Sequence, residues 1–186
     1  MKVLKVFALL LLLLPVGLLL VSLFLPSRYR VTRSVLIKVP ADAIFAQIDS
    51  LKSWPEWTAW TQARYPDMQV SFGGPDSGVG ATYSWTGKSS GQGTLTITRS
   101  DPDKRIAYDL AFENGKFRSQ GTITITPAGD QWNVTWSNEG DLGSNPIARY
   151  FGLLMDRRMG ADLEQGLGNL KRKVEAASTQ AQSPTK

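Results

Sequence analysis

Between residues 68 and 140 the chain changes face every second residue, run after run, and each run stops in turn chemistry. The runs are MQVSFGG, GATYSWTG, GTLTITRS, RIAYDLAFEN, KFRSQGTITITP and WNVTWSNEG; GGPDSG, GKSSGQG, SDPDK, ENGK and PAGDQ divide them. A period of two marks half-buried strands, and Gly, Pro, Asp and Asn clusters between such runs close hairpins. Parallel strands need long crossovers, and none is present, so an antiparallel meander is predicted.

Alternation also assigns the faces of that sheet. One face carries Tyr83, Trp85, Leu95, Ile97, Tyr108, Leu110, Phe112, Phe117, Ile123, Ile125, Trp132, Val134 and Trp136; the other shows Thr82, Ser84, Thr94, Thr96, Thr98, Asp109, Glu113, Arg118, Thr122, Thr124 and Thr135. The hydroxyl-rich face suits water, and the aromatic face needs a cover. A cover follows: Asn145-Pro146 is a helix start, and Phe151, Met155, Met159, Leu163, Leu167, Leu170 and Val174 recur at spacings of three and four. Gly152, Gly160, Gly166 and Gly168 interrupt this helix, each at a cost of about 1 kcal/mol, so close approach or a bend must offset them. ASTQAQSPTK reads as a polar disordered tail, with the domain ending near residue 177.

Ahead of the meander, YRVTRSVLIKV (29–39) is rich in β-branched residues and ADAIFAQIDSL is a short amphipathic helix. Next comes SWPEWTAW, with Trp54, Trp57 and Trp60 three residues apart and Ser53 and Glu56 at capping-box spacing. A short α or 3₁₀ turn is predicted, stacking the three indoles on one side. A single-strand-binding platform would need a basic groove here, and only Lys52 and Arg64 flank the stretch. Trp57 and Trp60 are expected to close one end of the interior, with Trp54 partly exposed as a gate or brace.

The first 26 residues are of another kind. Val6 to Leu25 holds no charge, and a helix of that length spans about 30 Å, enough to cross a bilayer. Lys2 and Lys5 would also suit a signal peptide, but the apolar run exceeds the usual h-region and no small-x-small site follows. The segment is therefore read as a retained transmembrane anchor. Arg28, Arg30 and Arg33 on one side nearly balance Lys2 and Lys5 on the other, and the short basic tail favours an inner-membrane protein whose domain (27–177) lies on the exported side.

Composition limits the chemistry. There is no His and no Cys, which removes imidazole bases, thiol nucleophiles, disulfides and most Zn or Fe sites; no metal or cofactor is expected. The net charge of +5 reflects 21 Lys and Arg against 16 Asp and Glu, scattered and not gathered into a basic face, so nucleic acid is not an expected partner.

The order of strand, two short helices, antiparallel sheet and long closing helix resembles the helix-grip proteins: the START and Bet v 1-like (SRPBCC) superfamily, with its polyketide cyclase/dehydrase and lipid-transport members. The local likeness lies in VTRSVLIKVPADAIFAQIDSLKSWPEWTAW and in MDRRMGADLEQGLGNLKRKVE, and GADLEQGLGNLK resembles the membrane-anchored bacterial subgroup. The resemblance implies an α+β fold, a curved sheet of about seven strands around a long C-terminal helix, and an apolar cavity between them for a hydrophobic small molecule or lipid. Its lining would be Trp57, Trp60, Tyr83, Trp85, Tyr108, Phe112, Phe117, Trp132, Trp136, Asn138, Phe151, Met155 and Met159. The rival readings are a cyclase or dehydratase enzyme and a protein-interaction module whose core these side chains fill.

Against catalysis, the inward polar groups are Tyr83, Tyr108, Ser119 and Asn138, which orient ligands but transfer protons poorly near neutral pH. Asp156 and Asp162 are the remaining carboxylate candidates, with Arg157 and Arg158 nearby favouring surface ion pairs. GKSS lacks the earlier glycine of a phosphate loop, since position 82 is Thr82, and NVT at Asn133 falls mid-strand.

Overall fold

The computed structural model describes residues 13–182. Seven strands form one antiparallel sheet: β1 Arg28–Ile37, β2 Gln69–Gly73, β3 Thr82–Gly87, β4 Gly91–Asp101, β5 Arg105–Phe112, β6 Phe117–Ala128 and β7 Gln131–Asp141. Their order is β1-β7-β6-β5-β4-β3-β2, a meander of six with the first strand laid beside the last. Between β1 and β2 lie α1 Ala41–Asp49, a 3₁₀ turn Leu51–Ser53 and α2 Trp54–Trp57. The closing helix, α3, runs from Pro146 to Gln182. The predicted α+β architecture is observed, with every expected strand in place.

Local chemistry explains the boundaries. Asn145 Oδ1 accepts from the amides of Ile147 (3.0 Å) and Ala148 (3.4 Å), the side-chain cap that Asn145-Pro146 promises. Glu113, Asn114 and Gly115 adopt positive φ at the β5–β6 hairpin. At its other end α3 continues to Gln182, so 178–182 is helix and not the expected disordered tail. The stretch STQAQ contains no helix breaker, and Thr179 Oγ1 donates back to the Glu175 carbonyl (3.0 Å). The expected capping box is not formed: Ser53 Oγ donates to the Ser50 carbonyl (3.0 Å), and Glu56 pairs with Lys173 on α3 (2.5 Å).

α3 lies along β1. Arg33 reaches it through Asp156 (2.9 Å) and Glu164 (2.6 Å), Lys171 Nζ donates to the Leu36 carbonyl (2.8 Å), and the Lys38 amide donates to Glu175 (3.0 Å). Its buried stripe is Leu163, Leu167, Leu170 and Val174, in one core with Ile37, Ile44, Ile48, Ile106, Ile123 and Trp136.

Register distinguishes two ends of the sheet. At the near end the chain enters β1 at Arg28 opposite Asp141, and here stand the hairpins 113–116 and 88–90 and the start of α3. At the far end are α1, the 3₁₀ turn, α2 and the turns after Asp101 and Ala128.

The expected span Val6–Leu25 lies partly outside the described residues. Its described part is helical over 13–22, and among the described residues no helix is long and apolar enough to cross a membrane. That part is tied to α3: Arg149 Nη1 donates to the carbonyls of Ser22 (3.2 Å), Leu23 (3.4 Å) and Leu25 (3.5 Å), and the Tyr150 hydroxyl to that of Leu18 (2.7 Å).

Candidate functional site

The inner face of the sheet is built on three glycines in separate strands. A Cβ at Gly121 would fall inside the ring of Tyr108, one at Gly140 would meet the Tyr29 ring at 2.6 Å, and one at Gly93 would collide with Trp85. The missing side chains let each aromatic ring lie over the strand beside it. Register sets each glycine opposite an inner-face residue: Gly121 opposite Tyr108, Gly140 opposite Tyr29 and Gly93 opposite Trp85.

Toward the far end the rings close into a solid cluster around Trp136. Its ring centroid lies 5.4 Å from that of Trp57, 5.7 Å from Trp54 and 6.0 Å from Trp60; Trp54 is 5.5 Å from Tyr108 and 5.2 Å from Trp57. These are tilted and edge-on arrangements, the favourable ones for aromatic pairs. Trp136 Nε1 donates to the Tyr108 hydroxyl (2.9 Å) and Trp54 Nε1 to the Ile48 carbonyl (2.9 Å). Trp54 is therefore fully inside and not the part-exposed gate expected, because its indole N–H finds its acceptor in the last turn of α1. Trp57 is completely buried, and among the described residues its Nε1 and Gln47 Oε1 are buried polar atoms without a partner.

Toward the near end the packing loosens. Trp85, Leu110, Met155 and Met159 are half-buried against the core, and Phe112 stands 6.2 Å from Trp85 at the rim; Trp60, also half-buried, stays with the Trp136 cluster. At the same end, in β1, β7 and β6, runs a chain of polar groups: Tyr29 Oη donates to Asn138 Oδ1 (3.1 Å), and Asn138 Nδ2 donates to Ser119 Oγ (3.4 Å). Tyr29 is the participant the sequence reading missed; its register opposite Gly140, on the face of Val31 and Asn138, is the signal for it. Burial raises the Tyr29 and Tyr83 phenols above their ordinary value and pushes Tyr108 up to about 12, so all three stay neutral and act as hydrogen-bonding groups.

Of the residues expected to line a cavity, two lie outside. Phe117 is 61% exposed, being the first residue of β6 beyond the reach of α3. Phe151 is 57% exposed. Steps of four each gain about 40° on a 3.6-residue turn, so Phe151 sits well off the stripe centred on Leu163 to Val174. Trp132, opposite Ile37, is half-buried at the far end of β7, apart from the near-end residues. Tyr83 sits between Phe72 (5.5 Å) and Trp85 (5.8 Å).

The carboxylate candidates are engaged elsewhere. Arg33 holds Asp156 below the usual carboxylate range, and Asp162 pairs with Arg64 (2.6 Å). Asp109 faces solvent and accepts from Gln120 (3.1 Å). In the GKSS loop, the amides of Lys88 (2.5 Å) and Ser89 (3.0 Å) donate to Asp67, so the chain's own carboxylate occupies that anion cradle. Among the described residues no cluster of acidic side chains suits a metal.

Two depressions lie off the core. A shallow groove of about 560 Å³ runs over the outer face along the register row Ser71, Ser84, Thr94, Ala111 and Arg118. A second, of about 140 Å³, separates the start of β1 from Arg149, Gly152, Leu153 and Asp156 of α3.

The arrangement has relatives among solved structures. The di-domain ARO/CYC StfQ from the steffimycin biosynthetic pathway superposes with a TM-score of 0.61 at 12% identity over 82% of this chain and 52% of its own. Protein jhp0584 from Helicobacter pylori gives 0.59 at 8% identity over 78% and 87%, and CV1439 from Chromobacterium violaceum 0.51 at 18% identity over 81% and 99%. At such identities the likeness is one of fold. No curated protein sequence matches the chain closely enough to compare. The sequence profile described as polyketide cyclase / dehydrase and lipid transport matches residues 28–175, and the chain belongs to that family.

Proposed function

We propose that this protein binds a hydrophobic small molecule or lipid at the near-end mouth between sheet and α3, and that residues 1–26 tether it to the inner membrane with the domain on the exported side. The observation that carries the binding reading is the contrast between the two ends. Behind the mouth the Trp136 cluster is solid, whereas Trp85, Leu110, Phe112, Met155 and Met159 present half-covered apolar surface at the end that also carries the Tyr29–Asn138–Ser119 chain. Pockets for apolar ligands combine such a lining with a few placed polar groups, and methionine adapts to varied shapes. The family to which the chain belongs is consistent with it.

The test is lipid extraction and mass spectrometry of the full chain purified in an amphipathic polymer, with displacement of a fluorescent fatty acid. Saturable displacement and a co-purifying apolar compound are expected. Absence of both would leave the mouth without a ligand and return the fold to an interaction module. The likeness to the ARO/CYC StfQ favours a second reading, in which the same polar chain orients a polyketide for cyclisation; it predicts turnover that is lost on Asn138→Ala. A reporter fused after Lys186 reads the topology.

A further inference from the structure

We infer that the near end of the molecule is a docking face for an anionic phospholipid leaflet, so that the mouth opens onto the membrane and not into water. The proposal rests on the tether reading for its location and adds which face is seated. On α3, Ile147, Phe151 and Leu154 fall at i, i+4 and i+7, a single outward stripe, with Leu153 beside it; all are 46% or more exposed. Phe117 of the β5–β6 hairpin is exposed at the same end. From residue 25 onward, the other large apolar side chains exposed among the described residues are Leu36, Phe72 and Val79. An apolar concentration of this kind on a folded surface marks an interaction site.

The occupant is indicated by continuity and by charge. The stripe is continuous with the apolar helical segment 13–22, which Arg149 and Tyr150 fasten to these first turns of α3 and whose Leu14, Leu18 and Leu19 are themselves about half exposed. Lys116 and Arg118 flank Phe117 on the hairpin, and Arg157 and Arg158 follow the stripe along α3; all four are exposed and in no ion pair among the described residues. Paired cations occur at both ends: Arg28 and Arg30 with Asp141 and Glu139 at the near end, and Lys38, Lys52, Arg99 and Arg105 with Asp130, Asp76 and Asp101 at the far end, where Lys104 stays without an ion pair among the described residues. The unpaired near-end set is the one that adjoins exposed apolar side chains. Arg158, at i+11 from Ile147, prolongs the apolar stripe, so its stem can lie in the acyl layer with the guanidinium at the phosphates. Basic side chains around an apolar helix face suit a negatively charged leaflet better than a protein groove.

The chain has no cysteine, so single sites can be labelled with an environment-sensitive fluorophore in the full protein: Leu154→Cys, Phe117→Cys and, at the far end, Lys104→Cys. The proteins are placed in nanodiscs with and without anionic phospholipid and quenched by lipids spin-labelled near the headgroup. Expected are a blue shift and quenching at 154 and 117, none at 104, and weaker quenching in zwitterionic discs. Arg157→Gln with Arg158→Gln should lower quenching in anionic discs to the zwitterionic level, and Ile147→Asp with Phe151→Asp should abolish it at 117. Protein retained through a carbonate wash with site 154 unquenched overturns the docking face and leaves the tether standing. Quenching at 154 in protein that the wash strips off upholds the face and removes the tether. Protein that never associates with the discs overturns both.

Discussion

The residue that does most for the interior is Trp136, and its partner Tyr108 yields a pH-dependent test. In the unfolded chain the phenol titrates near pH 10; in the fold, burial moves it to about 12. Below pH 10 both states keep the proton and the contribution is fully present. Between 10 and 12 the unfolded chain loses its proton first, and roughly 2 to 3 kcal/mol of stability disappears. Tyr108→Phe should flatten this alkaline limb in denaturant melts taken from pH 8 to 12. At pH 7 it should cost about 1 to 3 kcal/mol, because the Trp136 N–H is left buried without its acceptor. The two indoles of α2 separate on the same reasoning. Trp54→Phe strands the Ile48 carbonyl, whereas Trp57→Phe removes an N–H that has no partner, so urea midpoints should fall clearly further for the first. Trp57→Ala, which empties a fully buried site, should cost roughly 3 to 5 kcal/mol.

Elements show where sequence pattern suffices and where it does not. The glycines of α3 are the sharpest case. Gly160 has the Arg33 guanidinium where its Cβ would be, and Gly166 faces Trp136 at 2.9 Å; Gly168 has nothing nearer than Arg172 at 3.7 Å. Gly168→Ala should therefore raise stability by about 0.5 to 1 kcal/mol, the helix-propensity gain alone, while Gly160→Ala should lower it and release Arg33 from Asp156 and Glu164. Thermal melts of the two variants check the contrast. The strands were legible because period two is a property of each run by itself. The face of Phe151 was not, because a ladder of fours drifts around the helix, and deciding where it leaves the core requires knowing where the sheet ends. The capping-box spacing of Ser53 and Glu56 failed for a related reason: Lys173, distant in sequence, competes for the carboxylate.

At the scale of the whole molecule, the solid cluster around Trp136 and the proposed binding mouth lie at opposite ends. The SWPEWTAW segment closes the far end around Trp136, as the capping of one end in the sequence reading anticipated for Trp57. Which apolar residues stay half-open is a matter of which strand ends α3 fails to cover, and no alternation pattern records that. The division makes a prediction that neither end alone supplies. Leu110→Trp and Met155→Trp add bulk at half-buried positions with room toward solvent, so neither forces the core apart, and overpacking costs should stay below about 1 kcal/mol. If the mouth holds the ligand, both variants should melt within a few degrees of the parent yet lose displacement of the fluorescent fatty acid. Trp57→Ala should do the reverse, melting early while the residual folded fraction, assayed at low temperature, binds with parental affinity. Unchanged binding in both mouth variants would move the site elsewhere. The outer groove along Ser71, Ser84 and Thr94 would be the next place to probe, with Thr94→Trp as the corresponding block.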